Sequence, residues 1–248
     1  MKQNSFAKFW DVISPIFVYF IITTLTLIAL DFLMLVLPIT EESALFRQLI
    51  SSLTAGAFLW TVYRQSDLGK REIKGKYLAV SVIIGGCFAV AWNNILGLTG
   101  IQNYSQSYAQ VTETFYTGRL LLEFMALCIV IPIVEELLYR GIIYARIKKW
   151  LGIKAAVLLS AIIFGLVHMN LVQFVYAAVF GILLAFITEK TGNFYAAAFA
   201  HMAANFTSVL RAETSVFAFM DDSRIIMLMI TAILLVFTML GLQFVRKE

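Results

Sequence analysis

Charge is scarce in this chain. Of its 248 residues only 14% are Asp, Glu, Lys or Arg, whereas 61% are hydrophobic and the mean hydropathy is +0.87. That composition excludes a water-soluble globule, because too little polar side chain exists to cover one. Cysteine is nearly absent as well. Cys87 and Cys128 both fall inside apolar stretches and lack the spacing of a disulfide framework or a zinc cluster, so they read as small core residues. There is no low-complexity tract, no Gly-rich phosphate loop, and no internal repeat of the kind that builds a transporter from inverted halves. Basic and aromatic residues do not interleave outside the apolar segments, so a nucleic-acid surface is excluded.

What is present is a succession of long apolar runs. A helix needs about 20 residues to cross a hydrocarbon core of about 30 Å. Runs of that kind extend over 12–37, 44–63, 77–98 and 120–147, followed by 155–168, 171–188, 194–210 and 225–245, of which 155–168, 171–188 and 194–210 are short. The expected fold is therefore all-α, a polytopic membrane protein with about eight transmembrane helices around an intramembrane polar cavity. It reads as one membrane domain in three parts: residues 1–118 with three spans, a core over 119–210, and 211–248 with an outer loop and a last helix. The first run, although preceded by Lys2 and Lys8, is too long for the h-region of a secretory signal and carries no small-residue cleavage site. The polar stretch Gly100 to Gly118, with Gln102, Asn103, Ser105, Gln106 and Ser107, reads as a flexible extracellular connection.

Lysine and arginine orient the bundle, because cytoplasmic loops carry their excess. Eight spans put fourteen of them on one side: Lys2 and Lys8, the group from Arg64 to Lys76, Arg146 to Lys154, Lys190, and Arg246 with Lys247. The other side receives Arg47, Arg119, Arg211 and Arg224. Both termini are thus expected in the cytoplasm of a bacterial cell, with the chain in the plasma membrane, and the net charge of +4 reflects this loop bias.

Inside the apolar runs stand a few polar residues that are expensive there and are kept mostly for function. Glu135 and Glu136 lie in the fourth run with Arg140. Glu136 and Arg140 are i and i+4 neighbours that can pair, while Glu135, about 100° around the helix, is left to face something else and is the better candidate for a general base. Pro132 lacks the N–H that would serve the Cys128 carbonyl and should bend or open the helix near Glu135. Both histidines of the chain lie in later apolar runs: His168, with Phe164 one turn before it, and His201, with Asn205 one turn after it. A histidine and an amide on one helix face can donate two hydrogen bonds to a single oxygen, the requirement of an oxyanion hole. A structural ion cluster and plain interhelical hydrogen bonding are the competing readings of the same residues.

These residues stand as E-E-x-x-x-R, F-x-x-x-H and H-x-x-x-N in that order, and over about residues 119–210 the chain resembles the CAAX-protease and bacteriocin-processing membrane proteases, the Abi or type II CAAX prenyl endopeptidase group. The resemblance implies hydrolysis of a peptide bond at or within the membrane. By the same resemblance Glu135 and His168 would activate water, His201 and Asn205 would stabilise the oxyanion, and Glu136 and Arg140, with Phe164, would organise the site. No cofactor is expected; the alternative is zinc, for which a glutamate and two histidines would supply three protein ligands. The implied partners are a peptide or protein substrate and the bilayer, in settings such as peptide maturation, bacteriocin processing or self-immunity.

Two other function classes fit the composition: a proton- or ion-coupled transporter, its polar path extended by Asp31, Asn93 and Asn94, and a non-catalytic immunity protein. Counting residues from the basic loops places His168 deeper than His201, since His168 lies 14 residues past Lys154 and His201 lies 11 past Lys190. One site then requires short or tilted helices and a chain that turns inside the protein near Met169 and Asn170. The cavity is expected to open towards the cytoplasm.

Overall fold

The computed structural model describes residues 4–36, 44–65, 72–101, 105–116 and 119–246, and every regular element among them is helical. Expectations that rest on Lys2, Lys70, Arg71, Lys247, Gln102 and Asn103 lie outside the described residues. The chain is an all-α, multi-pass membrane protein. Four helices are long and apolar enough to cross a bilayer: α1 (Ser5–Val36), α3 (Gly75–Thr99), α8 (Leu171–Thr191) and α11 (Arg224–Arg246). Most of α1 and α11 is unburied, and side chains such as Phe17, Leu25, Phe32, Ile233 and Phe237 point outward, as lipid-facing helices require. By contrast α3 and α8 are close to half buried and form the middle of the bundle. The other expected runs are helical too: α2 (Ala44–Gln65), α9 (Phe194–Glu213), and one helical path over residues 120–166.

That path changes register four times. It begins as α5 (Leu120–Glu123), widens to a π-helical stretch over Phe124–Val130, tightens to α6 (Ile131–Glu136), widens again over Leu137–Tyr144, and continues as α7 (Ala145–Leu166). The first π stretch ends for a covalent reason. The Ile131 N–H bonds to the Ala126 carbonyl, and the next bond in that register would run from residue 132 to the Leu127 carbonyl. Pro132 has no N–H, so the carbonyl that the proline orphans is that of Leu127, not that of Cys128 as an α-helical register predicts. Near its start α7 is broken at Gly152, whose φ of 82° and ψ of 176° suit a residue without a Cβ.

The connection between α3 and α5 is not a featureless tether. It carries a helix, α4 (Gln106–Phe115), capped by the Ser105 hydroxyl, which accepts from the Tyr108 N–H. Tyr108, Val111, Thr112 and Phe115 are its partly buried face, and Gln110 and Glu113 lie on the exposed one, the spacing of an amphipathic helix. The short α10 (Ala218–Asp221) sits between α9 and α11.

Two turns set where the histidines fall, and the first is exposed at Met169, not inside the protein as expected there. After α7 the chain reverses through Met169, held at φ 58°, and the buried Asn170 caps α8, its Oδ1 accepting from the Gln173 N–H at 2.8 Å. After α8 the chain turns through the half-buried Gly192 (φ 69°) and the buried Asn193, and α9 starts at the buried Phe194.

Small residues let α9 run through the centre. Ala196, Ala197, Ala200 and Ala204 are fully buried against α3 and α8, the kind of surface on which membrane helices approach closely. At Gly85 an added Cβ would lie 1.9 Å from the Ala200 carbonyl oxygen. Gly85→Ala should therefore destabilise the protein by on the order of 1–3 kcal/mol or more, seen as a lowered thermal midpoint in detergent. Gly97→Ala, where nothing lies within 4 Å, should leave that midpoint unchanged.

Candidate active site

The two adjacent glutamates end α6 and leave it in different directions. Glu136 is fully buried. Its Oε1 accepts from Arg140 Nη1 at 2.7 Å and from His201 Nδ1 at 2.9 Å, so a single carboxylate oxygen joins α6, the second π stretch and α9. Arg140, 1% exposed, also donates from Nη2 to the Gly181 carbonyl at 3.1 Å and places its guanidinium 4.5 Å from the centre of the Phe164 ring. Gly181 is what makes that approach possible, because a Cβ there would meet Nη2 at 3.1 Å and Ala161 at 3.0 Å.

Glu135 keeps a side-chain exposure of 20% and points its Oε2 to within 3.8 Å of His201 Nε2. His201 stands between the edges of two rings, Phe164 at 5.7 Å and Phe180 at 5.4 Å. These contacts leave the imidazole no freedom to flip away from Glu136.

His168 lies on the turn after α7. Its Nδ1 is 2.9 Å from the Phe164 carbonyl oxygen and its ring meets the Phe164 ring edge-on at 5.2 Å. A carbonyl only accepts, so Nδ1 carries the proton and the neutral ring presents a lone pair at Nε2. The same reasoning applies to His201: a carboxylate paired with arginine accepts, which assigns the proton to Nδ1.

Asn205 is the residue whose surroundings differ most from the sequence expectation. Its Nδ2 donates to the Leu127 carbonyl at 2.8 Å, the acceptor that Pro132 leaves without a helix partner. One amide hydrogen is thereby used to hold the kinked helix, and the orientation of the amide is set.

All four expected catalytic side chains, Glu135, His168, His201 and Asn205, line one cavity of about 400 Å³. Sequence reasoning did not find the other polar groups on its wall, including Gln48, Tyr108, Gln173 and Tyr176; they belong to no motif and are brought in by three different helices. Burial raises the Tyr108 phenol above its ordinary range, so it stays an uncharged hydroxyl there. Besides Leu127, Ile131 and Glu135 of the kinked helix, Val167 and His168 before α8, and His201 in the middle of α9, the lining residues come from the first turns of α2 and α8, the last turns of α3, the second half of α9, and α4. The cavity therefore reaches the end of the bundle away from Arg64, Lys76, Lys148 and Lys190, and the expectation that it opens towards the lysine-rich side is corrected. On that side the path is filled by buried side chains, among them Tyr63, Leu138, Ile142, Tyr144 and Phe194.

With this geometry in hand, comparison with known proteins is informative over the same segment. Residues 117–207 match the family described as "Type II CAAX prenyl endopeptidase Rce1-like". This segment is similar to that family. Over 86 residues the chain is also 33% identical to a Bacillus subtilis (strain 168) protein named "Putative membrane peptidase YdiL", a stretch that covers 34% of this chain and 35% of that protein. The alignment thus spans about a third of the curated relative. No solved structure matches.

Among the described residues no group of three His, Cys, Asp or Glu side chains is close enough together to hold a metal ion; both histidines donate from Nδ1 to fixed acceptors, the Phe164 carbonyl and the Glu136 carboxylate, and leave Nε2 free. The core also makes a prediction about its own wiring. Asn205→Ala removes the donor to Leu127 and should cost about 1 kcal/mol. Pro132→Ala restores a backbone N–H, so the double variant should recover most of that loss, a coupling of the same order in a double-mutant cycle followed by thermal unfolding in detergent.

Proposed function

We propose that the chain is an intramembrane endopeptidase that hydrolyses a peptide bond in a membrane-associated peptide or protein by glutamate- and histidine-activated water. The observation that carries this reading is one cavity holding Glu135, His168, His201 and Asn205, with Glu135 as the acid that the buried arginine does not engage directly. The Rce1-like match and the peptidase name of the Bacillus relative support it.

In the proposed reaction a water in the cavity hydrogen-bonds to the lone pair of His168 Nε2 and to the Glu135 carboxylate. Glu135 takes one proton as the water oxygen bonds to the substrate carbonyl carbon, and the carbonyl π electrons move to its oxygen. His201 and the second amide hydrogen of Asn205 face that oxyanion. His201 can donate from Nε2 only when doubly protonated, since Nδ1 is committed to Glu136. Its Nε2 lies 3.8 Å from Glu135 Oε2. Collapse of the intermediate returns the electron pair, the C–N bond breaks, and the protonated Glu135 gives its proton to the departing amine. Glu136, Arg140 and Phe164 position His201 and His168 without touching substrate.

The alternative is a zinc-dependent version of the same protease, which would draw on Glu135, His168 and His201. A transport pathway lacks support, because the polar cavity ends against the apolar plug around Tyr63, Ile142 and Phe194. The proposed setting is peptide maturation or bacteriocin self-immunity in a bacterial plasma membrane.

Purified protein in detergent, offered leader-type and membrane-type fluorogenic peptides, tests the reading. Glu135→Gln and His168→Ala should each lower cleavage by on the order of 10²–10⁴-fold with an unchanged thermal midpoint, and a strong chelator should leave the wild type active. Cleavage that survives both substitutions would remove these residues from the mechanism, and loss of activity with chelator would reinstate the metal.

A further inference from the structure

We propose that the cavity takes its substrate from the extracytoplasmic face of the membrane, as an extended segment of a peptide or protein; the proteolytic part of this inference rests on the function proposed above. The chain is strongly asymmetric from end to end. Among the described residues, ten lysines and arginines lie at one end of the bundle (Lys8, Arg64, Lys74, Lys76, four between Arg146 and Lys154, Lys190 and Arg246) and four at the other (Arg47, Arg119, Arg211 and Arg224). Contacts between elements confirm the ends: Lys148 bonds Glu189 at 2.6 Å and Trp150 bonds Asp11 at 3.1 Å at the first, and Arg47 bonds Asp31 at 2.9 Å at the second. An excess of this size marks the lysine-rich end as cytoplasmic.

The site opens at the other end. Gln48, Asn93, Tyr108, Gln173 and Ser208 line the cavity above Glu135, and all of them belong to helix turns that approach the arginine-poor end. A second cavity of about 430 Å³ shares Asn93, Tyr108, Thr112 and Ser208 with the first and continues outward to Arg211 and Asp221. Below the site, the fully buried Glu136 and Arg140 and the aromatic and aliphatic plug beneath them leave no path from the cytoplasm.

The walls also indicate what enters. Apart from Glu135 and the two histidines, the residues lining the first cavity carry no ionisable group other than tyrosine. They supply neutral amides and hydroxyls, which match the alternating N–H and C=O groups of an extended main chain, and apolar side chains such as Leu96, Phe115, Ile131 and Val172, which match apolar residues along it. The amphipathic α4 forms the rim: its Tyr108 and Thr112 face the cavity, and Glu113 faces away and is exposed.

The experiment uses the full chain in intact bacterial cells, with Cys87 and Cys128 replaced by alanine and single cysteines introduced by Asn93→Cys in the cavity wall, Glu113→Cys on the rim and Lys149→Cys at the lysine-rich end. A small membrane-impermeant methanethiosulfonate is applied before or after permeabilisation, and the remaining thiol is read by a gel shift with a large maleimide after denaturation. The expected result is loss of the shift at positions 93 and 113 in intact cells and at 149 only after permeabilisation. Modification at 93 only after permeabilisation, or in neither condition, would overturn the inference, as would modification at 149 in intact cells. The labelling does not depend on activity. In a second arm, a water-soluble fluorogenic peptide should be cleaved by right-side-out vesicles and spared by sealed inverted ones, and the opposite preference would overturn the inference. If neither preparation cleaves while the labelling pattern holds, the outward opening stands and the protease reading fails.

Discussion

The carboxylate of Glu136 is the point on which the site depends. It is wholly buried, and one of its oxygens serves both Arg140 and His201. Through Arg140 the same oxygen is tied to the Gly181 carbonyl and to the face of Phe164, so α6, α7, α8 and α9 share one electrostatic centre. Desolvating a carboxylate and a guanidinium costs several kcal/mol per ion, and pairing returns that only when geometry is good. Such a centre adds little net stability. Its physical effect is positional: His201 is held with Nε2 towards Glu135, and Phe164 is held where its carbonyl and ring fix His168. A charge that helps little with folding is thus what aligns the residues of the cavity.

Proline supplies a second kind of constraint. Pro132 ends a π-helical stretch and leaves the Leu127 carbonyl without a donor, and the Asn205 amide fills that place. A parallel arrangement occurs at the lysine-rich end, where Pro15 lies in α1 and would have served the Asp11 carbonyl; Arg146 donates to that oxygen instead. In an apolar medium an orphaned carbonyl has no water to turn to. A side chain from another helix is then the available donor, and each proline becomes a docking point between helices. This is how a kink, ordinarily a local defect, comes to set the position of α9 against α6 and of α1 against α7.

The bundle is closed at one end and open at the other. Aromatic and aliphatic side chains from α2, the second π stretch and α9 fill the lysine-rich end, while amides and hydroxyls line the space leading to α4. With the polar wall on one side only, Glu135 and the histidines are reached from a single direction, which distinguishes the cavity from a continuous transmembrane pathway.

Much of the architecture was legible in the sequence, because apolar run length is a direct readout of bilayer thickness. The eight runs correspond to helical segments, and the pairing of Glu136 with Arg140 followed from i,i+4 spacing. The gathering of Glu135, His168, His201 and Asn205 was anticipated from polar residues that lipid does not tolerate without cause. The π register around Pro132, the acceptor held by Asn205, the helix over 106–115 and the side on which the cavity lies were not legible. Each depends on which distant group meets which: a one-residue change of register moves an orphaned carbonyl, and small residues such as Gly85 and Gly181 decide how closely helices approach. Composition and spacing determined that this chain lies in a membrane and singled out the polar side chains that line its cavity. Where those side chains point, and from which face they are reached, was decided by helix packing, since contacts between residues far apart in the chain leave no periodicity in it.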